Sequence, residues 1–236
     1  MTNWNDYAET YDLMATETPA YQDLLQCFRE EFGRWPLADG DTVLEVGAGT
    51  GNFTIEAAKL FPGVSIIHSE PEPVMQRRAI EKLNREGVSN IKVMSASADE
   101  LPFTEQSLKA VILVHVLYTL PNPISFLEKL HGWLGNGGLI FACDLGRVMD
   151  IADWRSYFWR ELVQKDGYRK AAQKMWKARG IFQANKKIAD AQRAGQYWTH
   201  TGEEFAEAFR SVGFTVERQE LVYRGYSNLV VARKGA

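Results

Sequence analysis

The stretch VLEVGAGTGNFT, residues 43–54, constrains this chain more than any other feature. Three glycines at alternate positions, Gly47, Gly49 and Gly51, separate a β-branched run from an amphipathic one. Glycine is needed there because the backbone must turn sharply from strand to helix and leave main-chain amides open to a ligand. A strand–turn–helix of this kind belongs in a parallel sheet whose crossovers are helices. In the dinucleotide pattern G-x-G-x-x-G the third glycine would fall at position 52, which holds Asn52. The spacing therefore disfavours a nicotinamide cofactor.

The flanking sequence repeats the same rhythm. Short apolar runs at 42–46, 64–69, 91–95, 110–115 and 138–144 predict strands. Between them, 52–60, 74–86 and 124–134 place apolar residues on one helical face, as crossover helices do. Beyond Asp144 about fifty residues show no clear strand, a helix resumes near 203–211, and runs at 215–222 and 227–233 predict an antiparallel hairpin bent at Arg224 and Gly225. Residues 3–33 carry helical periodicity up to Gly33, with Pro36, Asp39 and Gly40 as breakers before the first strand. A chain of 236 residues fits one decorated α/β domain. Cys27 and Cys143 stand far apart in apolar stretches, so they form neither a disulfide framework nor a metal site and read as core residues in a reducing compartment. The N-terminus lacks a basic region followed by an apolar run, and VILVHVLYTL is too short to span a bilayer. These features lead to the expectation of a cytoplasmic chain without a membrane span. A net charge of −3 argues against nucleic-acid binding by the surface as a whole.

The second strand ends at Glu70, nineteen residues past Gly51. An acidic group at the tip of the neighbouring strand accepts hydrogen bonds from both hydroxyls of a ribose. With these residues in view, the chain resembles the class I S-adenosylmethionine-dependent methyltransferases, closely over 40–145 and loosely at the termini. Their first motif stands here as Glu45-x-Gly47-x-Gly49-x-Gly51. The resemblance implies that Gly47, Ala48, Gly49 and Gly51 lie along the methionine and ribose of the cofactor. It also implies that Glu45 helps place the amino group, that Glu70 takes the ribose hydroxyls, and that Pro71 or Glu72 edges the adenine. SASADELPF, residues 95–103, is similar to the exit of the family's third strand. Ser97 stands where the family usually carries an acid for the adenine amino group, with Asp99 nearby, and Ala98 would offer a backbone amide. Lys109 replaces a common strand-opening Asp, and Gly135, Gly137 and Gly138 are turn glycines.

By that resemblance the expected fold is α/β, a seven-stranded, mostly parallel Rossmann-like sheet with an antiparallel last strand and helices on both faces. The expected organisation is an N-terminal helical cap over 1–40, a cofactor-binding core over 41–146 and 200–236, and a helical lid inserted over 147–199. His115 ends the fourth strand, where ligands sit in open α/β sheets, and is a candidate for touching cofactor, acceptor or both. A sulfonium methyl needs mainly an aligned nucleophile and exclusion of water, so a base is optional; His115 and His200 are the candidates by type. Tyr7 and Tyr11, four residues apart on one helix face, are candidates for closing over the cofactor, and Trp4 less so; the same spacing also suits core packing. Residues 147–200 carry twelve basic and five acidic residues interleaved with aromatics. That composition suits a lid that meets an anionic or aromatic small molecule, or an ordinary helical insertion with packed aromatics and solvated lysines. Arg224 and Tyr226 either reach the same rim or are surface hairpin residues. The expected activity is methyl transfer from S-adenosylmethionine to a small, anionic or aromatic molecule. The alternatives are an RNA or lipid methyltransferase and a non-catalytic cofactor-binding regulator.

Overall fold

The computed structural model describes the backbone of residues 4–235 and side chains from Tyr11 onward. The side chains of Trp4 and Tyr7 thus lie outside the described residues. Seven strands, β1 (Thr42–Val46), β2 (Ser65–Ser69), β3 (Ile91–Met94), β4 (Leu108–Val114), β5 (Leu134–Leu145), β6 (Phe214–Val222) and β7 (Ser227–Lys234), form one sheet in the order β3-β2-β1-β4-β5-β7-β6. The first five pair in parallel, and β7 runs antiparallel to both β5 and β6. The sheet is the Rossmann-like arrangement expected for the family.

Alternation along each strand divides the core into two layers. Val43, Ala110, Ile112, Phe141 and Val231 face Phe28 and Phe32 of α2 (Pro19–Phe32) and Phe53 of α3 (Asn52–Leu60). Their neighbours Leu44, Val111, Leu113, Ile140 and Val230 face α5 (Pro123–Trp133) and α8 (Gly202–Ser211). Because both faces are covered, β4 and β5 read as continuous apolar runs, as buried parallel strands do. Phe28 ties three elements together, its ring lying 4.9 Å from Phe32, 5.2 Å from Phe53 and 5.1 Å from Phe141.

The N-terminal periodic segment is two helices, α1 (Trp4–Glu17) and α2, because Thr18 is extended and Pro19 occupies the first turn of α2. β4 ends one residue before the expected boundary, since His115 adopts a left-handed φ of 55°. β5 begins earlier than expected, with Leu134 paired to Leu108 across a register shift. Between β5 and α8 lie α6 (Ile151–Lys177) and α7 (Arg179–Arg193). Gly167 interrupts α6 at φ 75° and ψ 167°, a region almost restricted to glycine. In a straight helix Ala152 and Ala172 would lie about 30 Å apart; here they line one groove, so the chain doubles back at Gly167. α4 (Pro73–Glu86) completes the layer beside β2 and packs against α1, which also meets α7. No helix among the described residues is long and apolar enough to cross a membrane.

Candidate active site

Strand order reverses between β1 and β4, and the loops at that point open a cleft. Gly47, Gly49 and Gly51 have φ of 61°, 55° and 80°, so all three need the left-handed freedom that the sequence supplies. A Cβ on Gly47 would meet Val116 Cγ2 at 2.7 Å, whereas one on Gly49 would meet nothing within 4 Å. Gly49 therefore borders open space. The loop is held to β2 by the Ala48 amide, which donates to the Ser69 carbonyl at 2.9 Å. Glu70 Oε2 accepts from the Gly49 amide at 2.8 Å and Oε1 from the Glu72 amide at 2.9 Å. Burial raises the Glu70 carboxyl above its ordinary value, while these two amides pull it down.

Beneath the loop is a buried polar cluster. Thr54 Oγ1 bonds both the Glu45 carboxyl and, at 2.8 Å, His68 Nδ1. Burial pushes Glu45 up to about 8 and His68 down to about 4, so both are uncharged near neutrality. Glu45 is thus directed into this cluster and is not among the residues that line the cleft. Beside it, Lys82 of α4 donates to Asp12 Oδ1 of α1 at 2.8 Å and to Thr50 Oγ1 at 3.2 Å, and it also bonds Asn52. Thr50 donates to the same Asp12 oxygen at 2.6 Å, and Asn52 donates to the Tyr21 hydroxyl at 3.0 Å. The N-terminal helices are therefore fastened directly to the glycine loop.

The cleft encloses about 1060 Å³ of empty space, its open mouth included. Of the expected site residues, Gly47, Gly49, Glu70, Pro71, Glu72, His115 and Tyr11 line it. Ala48 and Gly51 support the loop from behind. Ser97 and Ala98 do not reach the lining: Ser97 forms a capping box with Glu100, and Ala98 is buried against the α5 layer. His115 Nε2 lies 2.9 Å from Ser227 Oγ, and burial lowers its imidazole to about 4. His200 is away from the cleft, stacked 4.4 Å from Phe205 with Nδ1 against Asn228. Arg224 and Tyr226 do not line the cleft either, since both bond Asp153 of α6; Tyr223 enters in their place. Tyr21, Tyr118, Met149, Asn185 and Tyr223 are lining residues that carried no local signal, because each comes from an element distant in sequence from the glycine loop. Most aromatics of α6 pack inward, with Trp154 and Phe158 each 3% exposed, whereas Tyr168 and Trp176 are 73% and 67% exposed.

A protein-family model described as a methyltransferase domain matches residues 18–219. The chain belongs to that methyltransferase family. It is an S-adenosylmethionine-dependent enzyme of the methyl-transferring class. The methyltransferase is 27% identical over 169 residues to a tRNA (guanine-N(7)-)-methyltransferase of Mycoplasmopsis agalactiae, a match covering 61% of this chain and 81% of that one. It is 28% identical over 122 residues to Methyltransferase str2 of Strobilurus tenacellus, covering 52% of this chain but only 39% of the relative. Among solved structures it is similar to a Burkholderia thailandensis 1,6-didemethyltoxoflavin-N1-methyltransferase, solved with 1,6-didemethyltoxoflavin and S-adenosylhomocysteine. That comparison gives a TM-score of 0.62 at 16% identity over 99% of this chain and 85% of the other, a likeness of fold.

Proposed function

We propose that this methyltransferase acts on a small, aromatic molecule held at the β4–β5 end of the cleft. One observation carries the reading. A single cleft runs from Gly49 and Glu70 to an aromatic wall containing His115 and Tyr118, and it is bordered by Tyr11 and Met14 of α1 and by Asn185 and Ile188 of α7. A cleft flanked by two helices suits a small molecule better than a duplex. In this reading residues 1–40 form a cap, 147–199 a lid, and the remainder the cofactor-binding core.

The residues present fit the cofactor. A carboxylate offers about four acceptor positions, and Glu70 uses two of them on backbone amides. The others remain for the ribose hydroxyls. Gly49 leaves room for close approach and Gly47 shapes the turn, while Pro71 and Tyr11, both on the cleft wall, would hold the adenine end. Glu45 acts at one remove, holding the loop through Thr54. When bound, the cofactor supplies a methyl activated by a sulfonium and carrying a neutral leaving group. The chain then has to align the acceptor and exclude water. His115 is neutral through the physiological range, so it orients an acceptor hydroxyl or amine by a hydrogen bond; a value near 4 makes it a weak proton acceptor.

A second reading, transfer to RNA, draws on exposed Tyr168 and Trp176 among basic residues of α6 and on the likeness to a tRNA methyltransferase. Labelled S-adenosylmethionine incubated with cell extract, then separated into small-molecule, lipid, nucleic-acid and protein fractions, distinguishes the two. The first reading expects label in small molecules, abolished by Glu70→Ala. Label confined to nucleic acid overturns it in favour of the second.

A further inference from the structure

Of the four non-glycine residues with left-handed φ among the described residues, two line one end of the cleft and a third adjoins them in sequence. His115, Tyr223 and Arg224 have φ of 55°, 52° and 57°; Gln106 is the fourth. Such conformations persist only where the surroundings hold them, and they concentrate where a side chain must be aimed. Tyr223, Arg224 and Gly225 form the turn between β6 and β7, so two bulky residues take a conformation that Gly225 alone would adopt freely.

The device that holds the turn is visible. Arg224 Nη2 lies 3.0 Å from Asp153 Oδ1, and its guanidinium stacks over the Tyr157 ring at 4.1 Å and the Trp154 ring at 4.9 Å. The Tyr226 hydroxyl donates to the other oxygen of Asp153 at 3.0 Å, and Arg147 lies over the Tyr226 ring at 4.0 Å. The start of α6 is thereby clasped to the hairpin. With Arg224 turned outward into this clasp, Tyr223 points inward. Its ring tilts against Trp154 at 4.9 Å and meets the His115 ring at 5.0 Å, with Tyr223 and His115 both on the cleft wall.

The charge along the cleft is uneven. No Lys or Arg is present in its lining among the described residues, and its acids, Glu70 and Glu72, follow β2. Tyr223 precedes β7, four places along the sheet from β2, roughly 19 Å at the usual strand spacing. At that end the wall consists of Tyr223, His115, Tyr118, Met149 and Ile188, with the buried amide of Asn185 for polarity. Among the described residues neither an anion nor a cation would find a counter-charge there, and an unpaired buried charge is costly. None of the basic residues of 147–199 that suggested an anionic acceptor lines the cleft, and several pair elsewhere: Lys174 with Glu17 and Asp166, Lys186 and Arg193 with Asp190.

We propose that Tyr223 is the acceptor-binding residue, its ring aimed into the cleft by a left-handed turn that the Asp153–Arg224 pair locks to α6, and that it stacks on an uncharged planar acceptor. The proposal rests on the reading of this cleft as the methyl-transfer site. Tyr223 supplies a flat, amphipathic surface, which prefers offset stacking on another ring. Asp153 acts through Arg224 and is a positioning residue.

The test measures binding of 2-naphthol, 2-naphthoate and N-methylquinolinium, three planar probes that differ in charge, by calorimetry with and without S-adenosylmethionine. Wild type is expected to bind 2-naphthol at least ten-fold more tightly than either charged probe. Tyr223→Leu should weaken 2-naphthol five-fold or more, Tyr223→Phe should stay within two-fold of wild type, and Asp153→Asn should weaken it several-fold. All three variants should keep their affinity for S-adenosylmethionine within two-fold, which shows that the site has not collapsed. Equal binding of a charged probe, no binding of 2-naphthol by wild type, or indifference to Tyr223→Leu overturns the proposal. Failure of wild type to bind S-adenosylmethionine refutes the underlying methyl-transfer reading instead, and the cofactor-free arm still reports on Tyr223.

Discussion

The glycines of the first loop have different physical duties, and substitutions should separate them. Gly47→Ala drives a Cβ into the stiff side chain of Val116 and also strains a left-handed residue. It should cost about 2–3 kcal/mol of stability, read by chemical denaturation. Gly49→Ala carries only the backbone penalty, about 1 kcal/mol, because its Cβ enters open space. It should leave the fold nearly intact while lowering affinity for S-adenosylmethionine at least ten-fold by calorimetry. Glu45 offers a test of a different kind. Its carboxyl titrates near 8 in the folded protein, far above its unfolded value. The folded state holds the proton more tightly, so stability is greatest at low pH for this group and is lost as pH rises from about 4.5 to about 8. Between pH 7 and 8 this group alone should cost the cofactor-free protein on the order of 1 kcal/mol. Glu45→Gln should flatten that slope, and an unchanged slope in the variant would assign it to other groups.

At the scale of elements, the N-terminal helices and the α6–α7 pair make the site by packing over a sheet that is otherwise complete. α1 is secured by the Asp12–Lys82 ion pair, with Lys82 13% exposed. Asp12→Ala leaves that cation buried without its carboxylate and should cost about 1–3 kcal/mol. Hydrogen exchange should accelerate in α1 while the amides of β4 and β5 keep their protection; uniform acceleration would mean that α1 belongs to the cooperative core. Gly167 is the hinge about which α6 reverses. Gly167→Ala forces a side chain into a glycine-only conformation, and a loss of about 1–3 kcal/mol is expected, with exchange increased in residues 151–177.

Across the whole molecule, the sequence carried the sheet and its crossovers because local period reports burial directly. Val43 beside Leu44 and Ala110 beside Val111 already mark two covered faces. The glycine-loop end of the cleft was legible for the same reason, since Gly47 and Gly49 follow β1 and Glu70 follows β2, where the pattern is local. The aromatic end was not. Tyr118, Asn185 and Tyr223 meet only after α7 and the β6–β7 turn return to β4, and no spacing in the chain encodes that return. Arg224 and Tyr226 drew attention by their type, yet Asp153 claims both and leaves the cleft to their neighbour. Likewise the abundant positive charge of 147–199 suggested an anionic acceptor, whereas composition alone does not say which way a lysine points.

The central claim is that Glu70 and the glycine loop hold S-adenosylmethionine in this cleft. Calorimetric titration of S-adenosylmethionine into wild type and into Glu70→Ala tests it most directly. Removing a carboxylate that accepts two hydrogen bonds from the ligand should weaken binding about a hundred-fold, equivalent to about 2.7 kcal/mol. Equal affinity in the two proteins, or no binding to wild type, would contradict the account.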